Sequence, residues 1–440
     1  MHVNGHRLYA RNDTSKSFWP KHCHIEPRLS FHVHHRLAGR WTPKSSQYRQ
    51  RSLLSQAVTA QQPSENKNTM MMGQNAPLFM RELAGTQRIG RGETVSPLSN
   101  ANQPTDLMGI TFKDASGTST CLGDYMQAND TDGFLVMHEG QNITEFYADS
   151  INPSTSHGIA SITRNFIASC VAVLIQRKQL DMDTPVEQYM PDLKSSGYAG
   201  ATVGQLLDMR SGVSSSMILT AQAMRWSQPD PAKPVADGIK ALLLTLPKDT
   251  EHGGKFKYRA GDTDVLGCLC EAVTGKSMGE VISELIWQPM GAQQDAEIVV
   301  DQKRTPMYSG GMSATLRDAA RFGYLWLNDG SSNGKEVVPA AFVHGTRHGN
   351  EDVMQAFSGN FFGLLDSPGK MYHNQTWNLD EKRGTILMYG AGGNFIYIDP
   401  PAQLVCTVQS HWPGPFMPDR VQGWFSALEA VRAKLAPQTL

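Results

Sequence analysis

The sequence predicts an α+β fold, with one antiparallel sheet assembled from both ends of the chain and helices packed around it. Three observations predict it. Residues 133–149, GFLVMHEGQNITEFYAD, read as two β-type runs around Gly140-Gln141-Asn142, a hairpin signature. Residues 161–180, SITRNFIASCVAVLIQRKQL, read as a helix whose interior is apolar on nearly every face, so it should be buried; a mostly helical middle follows. Strand-type runs then return in LMYGAGGNFIYIDP (387–400) and LVCTVQSHW (404–412).

Taken in order, residues 1–75 look unlike the rest. They hold HCH (22–24) and HVHH (32–35), many Arg, Lys, Ser and Gln, few acids and no apolar period. A His-rich tract can bind metal, and an Arg/Ser-rich, acid-poor start can be a transit peptide. The tract cannot bury a core. It reads as a disordered or non-native N-terminal extension, and MMMG at 70–73 offers another initiation point. Residues 76–132, rich in Gly, Ser, Thr, Asn and Asp, read as a loop-rich lead-in, and 133–440 as the folded domain. Its helical middle includes VGQLLDMRS (203–211) and VLGCLCEAVTG (265–275), and an amphipathic helix, VQGWFSALEAVRAKL (421–435), closes it.

Composition narrows the function classes. The 440 residues are 40% hydrophobic and 18% charged, with a formal net charge of -1. That balance gives no reason to expect nucleic acid or an acidic membrane surface as the partner. No run of about 18 apolar residues exists, and no basic-then-apolar signal peptide opens the chain, so a cytoplasmic location is expected. The six cysteines, at 23, 121, 170, 268, 270 and 406, lack metal-ligand spacing. Reduced structural thiols are the expectation. H-E-x-x-H, G-x-x-x-x-G-K-[ST] and G-x-G-x-x-G are all missing, which disfavours a zinc protease and the common nucleotide and dinucleotide sites.

Ser161 stands at the head of the long apolar helix, where unpaired backbone N–H groups favour a developing oxyanion. The residue three positions on lies beneath it on the same face, and a neutral lysine there can take the serine proton. Here that residue is Arg164. Alone, Ser-x-x-Arg is a weak signal, because a serine at a helix start is more often an N-cap.

The surroundings add a family resemblance. SITRNFIASCVAVLIQRKQLDMDTPVEQYMPDL resembles the nucleophile helix of the serine β-lactamases and penicillin-recognising hydrolases, with the L-D-x-D-x-P-V segment behind it. FKYRAGDTDVLGCLCEAVTG (256–275) resembles their second motif, SGGMSATLRDAARFGYLWLNDG (309–330) the conserved segment beyond it, and GAGGNFIYIDP (390–400) with QSHWPGP (409–415) the last active-site strand and its sequel. The likeness spans about 133–435, with the motifs in the expected order, and in detail is greatest to the 6-aminohexanoate-dimer hydrolases. It implies a β-lactamase/transpeptidase-like fold with a helical subdomain, and an esterase or amidase working through an acyl-enzyme.

Carried over by position, the resemblance makes Ser161 the nucleophile and puts Arg164 in the place of the family's lysine. Tyr258 matches the tyrosine that shares the proton work. Asp262 falls where an asparagine often stands, and Gly392 where the 6-aminohexanoate-dimer hydrolases have histidine. The oxyanion hole would combine the Ser161 N–H with one from the strand around Ala391. Arginine stays protonated, so Arg164 cannot be a general base. Its positive charge can still favour a tyrosinate at Tyr258. Lys255 and Lys257 alternate with Phe256 and Tyr258 on an extended run and face away. An ion pair between Arg164 and Asp262 is an equal expectation. Asp208 reads as structural, and Trp226 as a wall of the acyl pocket or a plain core or loop tryptophan. No metal or organic cofactor is implied; the partner implied is a small ester or amide, and a homodimer is compatible with the pattern. β-Lactams fit poorly, because the last motif lacks the K-T-G lysine. The competing class is a non-catalytic member of the same fold that binds an acyl or peptide-like ligand.

Overall fold

Alternation along two strands accounts for most of the architecture. In Thr131–His138, Leu135 and Met137 enter one hydrophobic core while Phe134 and Val136 enter another. In Leu404–Ser410, Val405 joins the first core, and Leu404, Cys406 and Val408 join the second. A period of two with both faces apolar demands a sheet covered on both sides. The computed structural model describes residues 85–149, 151–214, 236–357, 359–361, 365–366 and 368–437. The N-terminal tract 1–75 and Trp226 lie outside the described residues.

The two ends of the chain do meet in one sheet. Leu404–Ser410 pairs antiparallel with Thr131–His138, placing Cys406 opposite Val136. From that seam the sheet extends through Asn394–Asp399, Thr385–Gly390, Thr376–Asp380 and Tyr372–His373 on one side. On the other side come Gln141–Tyr147 and the short parallel edge Ser99–Asn100. The closing helix, Pro418–Leu435, covers the second core with Trp424, Leu428 and Val431. The helical middle covers the first: Thr163–Gln176 is buried from Thr163 through Leu174, as its uniform apolarity required, and Phe166 stacks on Phe322 at 3.7 Å.

A second, four-stranded sheet joins Thr86–Ile89, Ala296–Val299, Met312–Ala314 and His157–Gly158. The lead-in therefore carries more regular structure than a loop, including the helix Leu122–Ala128 with Leu122, Tyr125 and Met126 buried. These pieces are too short for periodicity to reveal. Cys121, Cys170, Cys268, Cys270 and Cys406 are buried, and among the described residues none forms a disulfide. Among the described residues no helix is long and apolar enough to cross a membrane.

Candidate active site

Strand His157–Gly158 runs into a single 3-10 turn, Ala160–Ile162, which leads into the helix Thr163–Gln176. Ala160 has φ 45°, a left-handed conformation that costs a non-glycine residue about 1–3 kcal/mol. Its neighbours hold it there. Ile159 N–H donates to Met312 O at 3.0 Å; the Thr163 hydroxyl donates to Ala160 O at 2.6 Å and accepts from Met312 N–H at 3.0 Å. Thr163 thus secures the helix start, and Ser161 Oγ caps neither helix. The plain N-cap reading of Ser161 is removed, and the hydroxyl sits half-buried on a constrained turn.

Strand Thr385–Gly390 ends against this turn. A Cβ on Gly390 would lie 2.2 Å from Ile159 O, so only glycine allows the approach. Ala391, the next residue, stands beside the serine turn, its carbonyl accepting from Asn394 Nδ2 at 2.9 Å. Neither the Ser161 nor the Ala391 amide is used in a hydrogen bond among the described residues. Gly392 differs: its N–H donates to Pro415 O at 3.1 Å. At φ 82° it contributes room, since a Cβ there would meet nothing nearer than 3.8 Å.

Arg164 is 1% exposed. Its guanidinium carbon lies 4.6 Å from the centre of the Tyr258 ring, a cation over an aromatic face. Nη1 donates to Thr263 Oγ1 at 2.7 Å and, weakly, to Arg259 O at 3.5 Å, whereas Nε and Nη2 are buried with no hydrogen-bond partner among the described residues. Tyr258 is half-buried, its ring parallel to Trp377 at 5.8 Å and edge-on to Tyr372 at 6.0 Å. Lys255 and Lys257 are exposed, and Lys255 Nζ donates to Gln355 O at 2.5 Å. Neither stands in for the missing lysine.

Two expectations need correction. Asp262 is not a ligand group: it is fully buried, and its carboxylate accepts from Ser211 Oγ at 2.6 Å and Ser211 N–H at 3.4 Å. Nor is it an ion-pair partner of Arg164. Burial pushes its carboxyl up to about 6. The acid that feels the Arg164 charge is Asp264, which burial pushes up to about 7 while Arg164 acts in the opposite direction. Asp264 accepts from Ser309 N–H at 3.0 Å. It thereby holds the Ser309-Gly310-Gly311 turn, where a Cβ on Gly310 would lie 4.0 Å from Ser161 N.

A buried polar relay behind Arg164 escaped sequence reasoning. Thr263 Oγ1, which accepts from Arg164, donates to Gln375 Oε1 at 2.6 Å. Gln375 Nε2 donates to Leu206 O at 2.8 Å, and Asn165 Nδ2 donates to Gln375 O at 3.1 Å. Asp208 anchors the same loop by accepting from His373 Nδ1 at 2.7 Å and Asn374 N–H at 3.0 Å, a structural role as expected. The available signal was Asn165, an amide at the start of the apolar run of this helix.

Together these groups place a serine hydroxyl, two unused amides, a phenol and a fixed positive charge around one turn. That suits acyl transfer better than binding by shape alone. Comparison with known proteins supplies the family. Residues 120–430 match the family described as Beta-lactamase. The chain is 29% identical over 338 residues to the 6-aminohexanoate-dimer hydrolase of Paenarthrobacter ureafaciens, covering 74% of this chain and 85% of that protein. It is 24% identical over 195 residues to Esterase EstB of Burkholderia gladioli, covering 40% of this chain and 48% of that protein. A solved Bacillus anthracis structure, provisionally assigned as a 6-aminohexanoate-dimer hydrolase, superimposes with a TM-score of 0.76 at 26% identity, covering 86% of this chain and 99% of that one. The chain belongs to the beta-lactamase family, on the fold shared by its serine hydrolases, with amidase and esterase relatives.

Proposed function

We propose that the protein hydrolyses a carboxylic ester or a linear amide through an acyl-enzyme on Ser161. The observation that carries the reading is the serine turn: a hydroxyl kept out of helix capping, next to the unused amides of Ser161 and Ala391. In the reaction, Tyr258 as phenolate takes the Ser161 proton while Oγ attacks the substrate carbonyl, and the two amides receive the oxyanion. Tyr258 then returns the proton to the departing alcohol or amine. Water repeats the sequence on the acyl-enzyme and frees Ser161. Arg164, stacked on the ring at 4.6 Å, sets a fixed positive charge beside both transfers. The relatives named for a 6-aminohexanoate dimer and for esterase activity support the amide-or-ester class.

A second reading, ligand binding without turnover, draws on the two unpartnered nitrogens of Arg164 and the missing lysine. Labelling with a fluorophosphonate probe separates the two. The hydrolase reading expects labelling of the wild type, none of Ser161→Ala and strong labelling of Arg164→Lys. No labelling of any of the three would sink it.

A further inference from the structure

One buried cluster outside the proton path ties the two halves of the candidate oxyanion site together. Asp132, at the start of strand Thr131–His138, is fully buried. It lies between two histidines: His157 Nε2 at 3.1 Å and His411 Nδ1 at 2.8 Å. His157 is 0% exposed and its other ring nitrogen, Nδ1, faces Gly158 O at 2.8 Å. A carboxylate only accepts, so each histidine's contact with Asp132 uses an N–H of its ring.

Each histidine sits at the root of one half of the site. His157 begins the strand that runs directly into Ile159, Ala160 and Ser161. His411 opens the loop that wraps the other half. Its own N–H donates to Asp130 O at 3.1 Å, Trp412 N–H donates to Gly392 O at 3.1 Å, and Gly392 N–H returns to Pro415 O at 3.1 Å. Trp412 also packs on Gly393, where a Cβ would lie 2.3 Å from the indole. The separation of the Ser161 and Ala391 amides therefore depends on how firmly these two segments are joined.

We propose that Asp132 is a positioning residue which, by bridging His157 and His411, clamps the serine turn to the Gly390–Gly393 segment and sets the width of the oxyanion hole. The role rests on the acyl-transfer reading, because only a reaction with an oxyanion needs that width fixed. Neighbouring charges fit a held cluster. Hydrogen bonding to Asp132 raises the His411 imidazole, with Asp130 adding to this and Arg420 opposing it. Burial works against the Asp132 carboxylate, yet the two histidines hold it below the usual range. Among the described residues no group of three or more His, Cys, Asp and Glu is arranged to hold a metal ion, so a structural clamp is the fitting role.

The test uses the half-exposed end of the clamp, where a folded variant is expected. Asn Nδ2 occupies nearly the position of His Nδ1, so His411→Asn keeps the donor to Asp132, while His411→Leu removes it. Two measurements are taken on the full chain: the rate of fluorophosphonate labelling, and amide exchange of peptides covering 157–163 and 388–394. His411→Leu is expected to label about ten- to a hundredfold more slowly, as a small displacement of reacting groups does. Exchange should rise in both peptides, and His411→Asn should stay within about threefold of wild type in both readouts. Equal labelling of all three proteins would overturn the clamp and leave the hydrolase reading standing. If the wild type fails to label, that reading falls and exchange decides the clamp: faster exchange in both peptides of His411→Leu alone upholds it, and unchanged exchange refutes it.

Discussion

Replacing Arg164 with methionine should abolish labelling of Ser161 without weakening the fold. The magnitudes come from the arginine's surroundings. It is 1% exposed, and among the described residues only Nη1 has hydrogen-bond partners, the good one being Thr263 Oγ1 at 2.7 Å. Nε and Nη2 have none. An unsatisfied buried donor costs about 1–3 kcal/mol, so the two together cost about 2–6 kcal/mol. The native contacts offset this in part. A charge-assisted hydrogen bond contributes about 1.5–3 kcal/mol, and the desolvated contact with Tyr258 about 2 kcal/mol. The terms nearly cancel before the burial of a charge with no ion pair is counted, and that burial tips the balance towards methionine. Arg164→Met is therefore expected to be neutral or to stabilise by about 1–3 kcal/mol. Thr263 Oγ1 keeps its own acceptor, Gln375 Oε1 at 2.6 Å, so no new orphan appears there.

The assay is urea unfolding followed by tryptophan fluorescence, with the midpoint compared at unchanged slope. A structural arginine would behave differently: breaking a buried charge pair destabilises by about 3–5 kcal/mol. A loss of that size in Arg164→Met would refute the view that this charge is kept for the site rather than for the fold. Retained labelling in the same variant would refute its electrostatic role.

Two further outcomes follow from the residues around it. Burial raises Asp264 from 3.8 to about 7, and a carboxyl raised on folding stabilises the folded state fully below its unfolded value and loses that contribution as pH climbs through the folded one. Stability should accordingly fall between about pH 4 and pH 7, and Asp264→Asn should flatten that fall, read as the urea midpoint at stepped pH; an unchanged slope would contradict the assignment. Thr263→Val leaves Gln375 Oε1 without its donor and Arg164 Nη1 with only the 3.5 Å contact to Arg259 O. A loss of about 2 kcal/mol or more is expected from the same unfolding assay, with Thr263→Ser close to wild type.

Sequence revealed what local pattern encodes. Uniform apolarity over 161–180 announced the buried helix, and alternation at both ends of the chain announced the sheet that joins them. Ser161, Arg164 and Tyr258 could be singled out as candidates because each lies in a contiguous motif and carries its chemistry in its own side chain. Asp262 was misread because helix rotation is invisible in a motif. Residues two apart point about 200° apart. Asp262 accordingly meets Ser211, while Asp264 meets the Ser309 turn and the field of Arg164. The relay from Thr263 to Gln375 joins positions 112 apart, and the Asp132–His411 contact positions 279 apart. Such side-chain bonds between distant loops leave no period and no fixed spacing to detect.

On the acyl-transfer reading proposed above, arginine in the lysine position shifts the proton work rather than simply removing it. A planar guanidinium can lie on a ring while one nitrogen reaches sideways, and Arg164 does both, over Tyr258 and to Thr263. It cannot accept a proton. Tyr372, edge-on to Tyr258, is buried, and burial pushes its hydroxyl up; Tyr389 is pushed up in the same way. Lys255 and Lys257 are exposed. Among the described residues, that reading leaves Tyr258 as the acceptor. With Arg164 present, Tyr258→Phe should therefore lower the labelling rate by the whole general-base contribution, about 10²–10⁴-fold. In an Arg164→Lys background a neutral lysine can take the proton, and the same change should lower it far less. The measurement is a double-mutant cycle on the labelling rate, with Ser161→Ala as the blank. A loss of less than about tenfold with Arg164 present would end the case for Tyr258 as the base, and equal larger losses in the two backgrounds would show that a lysine at this position takes up none of its work.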